Sequence, residues 1–274
     1  MICPNCGAEI DGNSKFCENC GTKVQRPEAK PALSEAQLAA AGTATLALGK
    51  AARQARLEAD YSEAEIISDK TYNAILLGVV LWGLVINAVL CAVAGDFVNR
   101  MNPVAFLIGY FVCAILGILL SSKSQNPVVS FLGYNLIVVP FGLVIASLVQ
   151  SYGGLDSAVV RDAFVYTSLI TAGMLCAVAS FPELFKKLGG ALLGCLLGLV
   201  LCELVLLIFR IPQVMTDWIA AGLFSLYIGF DIYRSQQFEK TVDNAVDCAL
   251  DIYLDIANLF VRLLRIMGRS KKND

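Results

Sequence analysis

Residues 243–268 read DNAVDCALDIYLDIANLFVRLLRIMG, an apolar stretch that carries an aspartate at every fourth position of its first half. A helix of about 20 residues crosses the hydrocarbon core of a bilayer, so this stretch is long enough to span it. An ionised carboxylate near the bilayer centre costs roughly 2.5–3.5 kcal/mol on insertion scales. We therefore expect Asp247, Asp251 and Asp255 to face a protein interior, a hydrated cavity or an ion rather than lipid.

The composition of the whole chain is that of a membrane protein. Of its 274 residues, 57% are hydrophobic and 16% are charged, whereas soluble domains average about 45–50% and about 25%. The net charge is −2, and no basic stripe with interleaved aromatic residues is present, so a nucleic-acid partner is not expected. Because residues 1–24 are polar and bear cysteines, we expect uncleaved spans rather than a secretory signal to hold the chain.

Charge and hydropathy divide the chain into four regions. We predict a zinc ribbon at 1–24, a linker and juxtamembrane helix at 25–70, a membrane domain at 71–268 and a basic tail at 269–274. Apolar runs of membrane length lie at 73–94, 104–121, 128–150, 158–180, 188–210, 214–233 and 246–267. The predicted fold is therefore all-α: a polytopic membrane protein of about seven transmembrane helices, preceded by a small four-cysteine zinc ribbon.

The segment 34–69 is rich in helix-forming residues, and Ser34 suits the N-cap position. We interpret it as a solvated or surface-lying helix whose Lys50, Arg53 and Arg56 would touch anionic lipid head groups. A flexible tether is the alternative. Both interpretations leave this segment outside the membrane domain.

Lysine and arginine are enriched in cytoplasmic loops, and this rule gives the predicted orientation. A cytoplasmic N-terminus places these cations inside: Lys50, Arg53, Arg56, Lys70, Lys123, Lys186, Lys187, Arg234 and Lys240. Seven full spans would leave the cations at 265–272 outside, against the rule, so the side of the C-terminus stays open. We therefore expect a multi-pass protein of the inner cell membrane with a cytoplasmic N-terminus.

Residues 3–21 read CPNCGAEIDGNSKFCENCG, two Cys-x-x-Cys-Gly knuckles that resemble the short zinc-ribbon modules of many prokaryotic proteins. Four thiolates complete a tetrahedral zinc shell, and the absence of histidine leaves Cys3, Cys6, Cys17 and Cys20 as its ligands. A redox dithiol or a pair of disulfides is the alternative, which a reducing cytoplasm disfavours. Because a closed shell is structural, we expect the ribbon to serve partner contact or regulation.

Asp231 and Asp255 form a second candidate site. Asp231 ends the sixth apolar run, and Asp255 lies roughly 14 Å of helix rise into the seventh. If the two helices are neighbours, the carboxyls can meet. Two carboxylates within a few ångströms do not both ionise cheaply, so such a pair shares a proton and titrates as a unit, and its oxygens are hard ligands suited to calcium. Helix capping or hydrogen bonds to Asn, Ser and Tyr are the alternative.

Further acids lie in the last spans. Asp251 shares a helix face with Asp255, whereas solvation or capping explains Asp243 and Asp247 at the polar entry of the helix. Glu203 stands alone in the fifth span. It is either a protonated packing partner or part of the same polar interior.

The fifth apolar run also carries Gly190, Gly194 and Gly198 at four-residue spacing. This small-xxx-small pattern lets helix backbones approach closely in membranes. We interpret it as helix packing and not as a ligand loop.

The run 252–260, IYLDIANLF, with the residues that follow it to Gly268, resembles the last-helix signature of the Bax inhibitor (transmembrane Bax inhibitor motif) family. The spacing back to Asp231 fits this family, and the resemblance covers about residues 66–268. It implies a seven-helix fold with the last helix at the centre. It also implies a pH-sensitive calcium leak in which Asp231 and Asp255 act as sensor and gate.

The resemblance also implies a cationic partner for the aspartates. The family often has an arginine at the cytoplasmic end of the second span, where this chain has Ser121 and Ser122, and Lys123 is the nearest cation. Lysine is a point charge and cannot form the bidentate fork of an arginine. Lys123 is therefore a weaker candidate for the gate. Asp251 and Glu203 are two further weaker candidates.

Two functional hypotheses follow. The first is a pH-sensitive calcium or cation leak, as a channel or exchanger, gated by Asp231 and Asp255 and passing calcium or protons. The alternative is a non-transporting regulator or adaptor that binds a membrane protease or another integral protein through the ribbon. An enzyme is not expected, because the chain has no histidine and no motif that pairs a nucleophile with a base.

Overall fold

The computed structural model describes residues 6, 19, 20, 34–57 and 65–273, and all regular structure in these ranges is helical. The helices are α1 (Glu35–Leu57), α2 (Asp69–Val93), α3 (Gly95–Arg100), α4 (Pro103–Lys123), α5 (Pro127–Ser151), α6 (Ala158–Ser180), α7 (Pro182–Lys186), α8 (Gly189–Ile208), α9 (Val214–Ser235) and α10 (Val242–Asn273). The predicted all-α class is confirmed. Leu33–Asp274 form one compact unit, which is described here by itself.

Five helices of the described chain, α2, α4, α5, α6 and α8, are long and apolar enough to cross a membrane. Short polar residues fix where three of them start: the Ser68 side chain caps α2, while Asn102 and Asn126 cap α4 and α5 just ahead of a proline. The remaining predicted spans, 214–233 and 246–267, coincide with α9 and α10, which carry more charge. Helices therefore occupy all seven predicted runs.

The outward faces of the apolar helices are suited to lipid. On α2, Leu77, Leu81, Val85 and Val89 follow one another at four-residue spacing, and each is about half exposed. Four-residue spacing places these side chains on one stripe of the helix. A water-soluble domain would not expose such a stripe at this length, so the bundle is built for a bilayer.

The central element of the bundle is α10. Every residue from 243 to 259 is buried, and α10 packs against α1, α2, α5, α6 and α9. The helix continues to Asn273, so most of the predicted basic tail is helical. The central position that the family resemblance implies is confirmed, and protein rather than lipid surrounds the charged residues of α10.

The long helices alternate in direction, which gives the bundle two ends. The 236–241 end, named after the connection between α9 and α10, holds the start of α2, where the Tyr72 hydroxyl donates to the Ser235 carbonyl at 2.9 Å. The 152–157 end, named after the connection between α5 and α6, holds the last turns of α10, where Gly268 packs against the Tyr152 ring. The depth of a residue in the bundle can be read from these two ends.

The N-cap predicted at Ser34 is confirmed. The Ser34 N–H donates to Gln37 Oε1 at 2.9 Å, and the Gln37 N–H donates to Ser34 Oγ at 3.2 Å. These reciprocal bonds form a capping box, which satisfies two backbone donors at the start of a helix. Residues at the start of α1 therefore determine where this helix begins.

The position of α1 differs from the prediction. At the 152–157 end the Tyr152 hydroxyl donates to Glu35, and toward the 236–241 end Arg53 pairs with Asp251. Along this course α1 packs against α10, α4 and α8. The predictions of a solvated or surface-lying helix and of a flexible tether are both wrong, because α1 runs through the interior of the bundle.

Small side chains allow α1 to enter the bundle. Residues 38–43, LAAAGT, are all buried. A Cβ atom on Gly42 would lie 2.5 Å from Asn258 Oδ1 and 2.7 Å from the Phe141 ring, so glycine permits this approach. The alanine-rich composition that suggests a solvated helix therefore belongs to a closely packed one.

The glycine spacing in α8 does not serve packing against the part of the chain that the structure describes. A Cβ atom on Gly190, Gly194 or Gly198 would have no described atom within 4 Å, so the predicted close approach at these residues is wrong. Close approach occurs instead between α4 and α5, where a Cβ on Gly117 would lie 2.6 Å from the Gly133 carbonyl oxygen.

We expect Gly117→Leu to destabilise the bundle, because its side chain would push against the backbone of α5. Overpacking of this kind costs about 1–3 kcal/mol. The measurement is the temperature at which the detergent-solubilised protein loses its monodisperse peak. Gly194→Leu is the control, since its side chain meets open space. Equal melting temperatures for the two variants would contradict the packing described here.

Candidate functional site

Asp231 of α9 and Asp255 of α10 come together in the bundle interior. Asp231 is 4% exposed and Asp255 is fully buried. The Lys50 ammonium of α1 contacts Oδ2 of both, with 3.1 Å between Lys50 Nζ and Asp255 Oδ2. One positive charge therefore bridges the two acids that the sequence pairs.

The second oxygen of each acid has a different environment. Neither Asp231 Oδ1 nor Asp255 Oδ1 has a hydrogen-bond donor among the described residues. Both carboxyl groups contact the same Lys50 ammonium, which brings them close to each other. A proton shared between them would satisfy both oxygens, which is the behaviour of a coupled pair.

A second ion pair lies beside the first. Arg53, fully buried on α1, pairs with Asp251 on α10. Asp247 also faces Arg53, and Arg234 faces Asp251. We call this group, which consists of Lys50, Arg53, Asp231, Arg234, Asp247, Asp251 and Asp255, the acid cluster. Its four carboxyls face three cations, so full ionisation leaves one negative charge, which a single retained proton would cancel.

An aromatic ring closes one side of the acid cluster. Lys50 Nζ lies 4.0 Å from the centroid of the Tyr227 ring. A cation over the face of an aromatic ring is attracted by the ring quadrupole, more strongly where water is excluded. The ring therefore helps to hold the ammonium between the two acids.

A pocket reaches the acid cluster from the 236–241 end. It is lined by Asp231, Arg234, Ser235, Phe238, Cys248 and Asp251. Two of the four acids thus line a small space at that end of the bundle.

The weaker candidates lie elsewhere, except for Asp251. Lys123 is exposed in the last turn of α4 and is not among the cations that face Asp231 and Asp255. Lys50 contacts this pair instead. The prediction that Lys50 touches lipid head groups is therefore wrong. Glu203 lies in a different group, where its Oε1 is 2.6 Å from Arg262 Nη2.

That second group gathers around Asp217 of α9, and we call it the arginine cluster. Asp217 Oδ1 lies 2.9 Å from Arg262 Nη1 and 2.8 Å from Arg265 Nη1, and Asp217 Oδ2 pairs with Arg269. Arg262 also donates to two groups of α1, the Ala39 carbonyl and the Thr43 hydroxyl. Sequence reasoning missed this cluster, although arginines at positions 262, 265 and 269 share one helix face.

The first two aspartates of α10 are buried as well. Asp243 is 1% exposed and accepts a hydrogen bond from Ser130 Oγ at 2.6 Å, and Asp247 is fully buried. Of the two explanations for these acids at the helix entry, solvation is wrong, whereas capping stays a prediction. Protein donors take the place of water because α10 is enclosed from its first turn.

The zinc prediction lies almost wholly outside the described residues. Of the four predicted ligands the structure describes only Cys6 and Cys20, both exposed.

Comparison with known proteins identifies two families along the chain. Residues 65–272 match the family described as inhibitor of apoptosis-promoting Bax1. Residues 2–24 match a zinc-ribbon domain. Residues 25–64, which include all of α1, lie between the two matches.

Named relatives agree with the first match. Bax inhibitor 1 of Schizosaccharomyces pombe is 26% identical over 190 residues, 66% of this chain and 68% of that protein. The inner membrane protein YbhL of Escherichia coli strain K12 is 27% identical over 230 residues, 74% of this chain and 93% of its own length. The Golgi anti-apoptotic protein of vaccinia virus is 30% identical over 132 residues, 47% of this chain and 54% of that protein.

We expect Asp217→Asn to destabilise the protein strongly, because it leaves three arginines around a neutral amide. Removing one partner of a buried ion pair costs about 3–5 kcal/mol. Thermal unfolding in detergent gives the measurement. Asp162→Asn is the control, since its contact with Arg161, at 3.6 Å, is exposed, and such pairs contribute about 0–1 kcal/mol. A similar loss in both variants would show that burial of the cluster is not what matters.

Proposed function

Since the chain belongs to the family of the inhibitor of apoptosis-promoting Bax1, we propose that it is an integral membrane protein that lets calcium or other cations leak across an inner membrane. The gate is the pair of Asp231 and Asp255. One observation carries this proposal: an ammonium group lies between these two carboxyls in the interior of the bundle. A positive charge is therefore stable at this depth.

The chemistry of the acid cluster supports a cation as the passing species. Carboxylate oxygens are the ligands that calcium prefers, and calcium takes six to eight of them. Asp231 and Asp251 line the pocket at the 236–241 end, and Asp231 shares the Lys50 ammonium with Asp255.

The pair also supplies a pH response. Charged and titratable groups that interact with the pair are Lys50 and Arg53 from α1, Tyr227 from α9 and Cys248 from α10, and Asp251 of α10 acts on the same Lys50. A proton shared by Asp231 and Asp255 holds the two helices together and lowers the attraction for a passing cation. Loss of that proton leaves two repelling carboxylates, so the gate opens as the pH rises.

The orientation is part of the proposal. The 236–241 end carries Lys123, Lys186, Lys187 and Lys240 near helix ends, which by the positive-inside rule is the cytoplasmic side. Because α1 begins at the 152–157 end, residue 35 then lies on the opposite side of the membrane from residue 69. This differs from the cytoplasmic N-terminal segment that loop charges alone predict.

The zinc ribbon carries a second proposal. Its donor set of four cysteines, with no histidine in the chain, fits a structural zinc held by Cys3, Cys6, Cys17 and Cys20. A zinc ribbon match at residues 2–24 supports this assignment. Zinc would fix the fold of the ribbon and leave no ligand position for chemistry.

A non-transporting regulator is the second candidate function. It is favoured by the ribbon, which lies outside the range that matches the membrane family and so adds a separate surface. Bax inhibitor 1 and the Golgi anti-apoptotic protein are named for an effect on a cellular process. In this alternative the ribbon would dock a membrane protease or another integral protein.

We expect Asp255→Asn to abolish the pH dependence of calcium flux into proteoliposomes and to lower the flux at least tenfold at pH 8. The amide cannot share a proton and carries no charge to attract a cation. Flux is followed with a calcium dye trapped inside the vesicles. Asp162→Asn, an exposed acid, should behave as wild type. A wild-type pH profile in Asp255→Asn would remove the gate from this pair.

We expect purified protein to contain one zinc per chain, measured by plasma mass spectrometry after dialysis. Cys17→Ser should lose this zinc, because three thiolates hold the ion far less tightly than four. Cys113→Ser, which changes a single cysteine of α4, should keep it. Retention of zinc in Cys17→Ser would assign the metal to other residues.

A further inference from the structure

The helix α1 stands apart from the rest of the bundle in its sequence. It lies between the two matched ranges, 2–24 and 65–272, and so belongs to neither family match. Nevertheless it provides Lys50, which contacts both gate aspartates, and Arg53, which pairs with Asp251. Two cations of the acid cluster therefore come from a segment that the family match does not include.

From Ala39 to Arg53 the polar groups of α1 match the charges of α10 that they contact. The two helices are antiparallel, and α10 has its acids in the first half and its arginines in the second. Lys50 and Arg53 face the acidic half. At the basic half α1 offers oxygens: the Ala39 carbonyl and the Thr43 hydroxyl accept from Arg262 at 3.3 and 2.5 Å.

This match, and not lipid, holds α1 in place. Lysine and arginine in the middle of a lone helix oppose insertion into hydrocarbon, and α1 is not among the five helices apolar enough to cross a membrane. The same two cations are stable inside because acids of α9 and α10 face them. A helix held by such contacts can leave when the acids find another cation.

We propose that α1 is a tethered plug, in which the Lys50 ammonium occupies a divalent-cation site formed by Asp231, Asp251 and Asp255. This inference rests on the proposed function, since it takes the aspartate pair to be the cation site of the leak. With the plug in place the site is filled and the path is closed. A free divalent cation competes with Lys50 for the same oxygens.

Two observations identify the site as one for a cation. Asp231 Oδ1 and Asp255 Oδ1 are buried and have no described donor, so oxygens beyond those that hold Lys50 point into the site. Taking Lys50 away would leave the four carboxyls of the acid cluster opposed by Arg53 and Arg234. The net charge of the fully ionised cluster would be −2, which one calcium ion neutralises.

The first test is calcium binding by the full-length protein in detergent, measured by equilibrium dialysis with radioactive calcium. We expect Lys50→Met, which keeps the length of the side chain and removes its charge, to bind calcium at least tenfold more tightly than wild type. Lys50→Met with Asp255→Asn should lose the gain. Lys70→Met, an exposed lysine at the start of α2, is the control. Equal affinity in Lys50→Met and wild type overturns the proposal, as does a gain that survives Asp255→Asn.

The second test displaces α1 without touching its charges. Gly42→Leu would press against Asn258 and Phe141, whereas Gly78→Leu on α2 meets open space. We expect Gly42→Leu to raise calcium flux into proteoliposomes at least fivefold over wild type and Gly78→Leu to leave it unchanged. Retained zinc content and a monodisperse elution profile establish that each variant is folded.

The two tests separate the plug from the leak. A calcium-binding gain in Lys50→Met with no flux in any variant supports the plug and overturns the proposed leak. A pH-dependent flux that depends on Asp255 but is unchanged in Lys50→Met and Gly42→Leu supports the leak and overturns the plug. Neither binding nor flux in any variant overturns both.

Discussion

The bundle depends on matching the charges of one helix without water or lipid. From Asp243 to Arg269, α10 carries seven aspartates and arginines, and all but Arg269 are fully or almost fully buried. An unpaired charge at such depth is far too costly to persist, so the helices that carry the partners are constrained by what they offer α10. Asp217 and Asp231 place α9, Glu203 places α8, and Lys50 and Arg53 place α1.

This constraint explains which features sequence could predict. The membrane class, the seven apolar runs, the central last helix and the pairing of Asp231 with Asp255 rest on local hydropathy or on the signature around Asp255, and the structure has all of them. The place of α1 rests on contacts across about 200 residues of chain, which no local pattern reports. Alanine, threonine and spaced cations describe a solvated helix equally well until the acids that face them are known.

The other errors have the same cause. Glycines at 190, 194 and 198 have the spacing of a packing motif, but spacing does not say which helix face turns inward. Lys123 is near the expected partner position in sequence, yet α4 ends with it exposed. Arginines at positions 262, 265 and 269 share one helix face, but this spacing alone does not predict the arginine cluster, because the acidic partner, Asp217, stands alone at the start of α9.

The separation of Lys50 from its partners, 181 and 205 positions along the chain, also orders events during synthesis. The ribosome makes α1 first and α10 last, so for most of translation the cations of α1 have no acids to meet. Lacking the hydropathy to remain in lipid alone, α1 must wait in an aqueous compartment or beside an insertion factor. Docking of α1 against its acidic partners therefore depends on completion of the last helix.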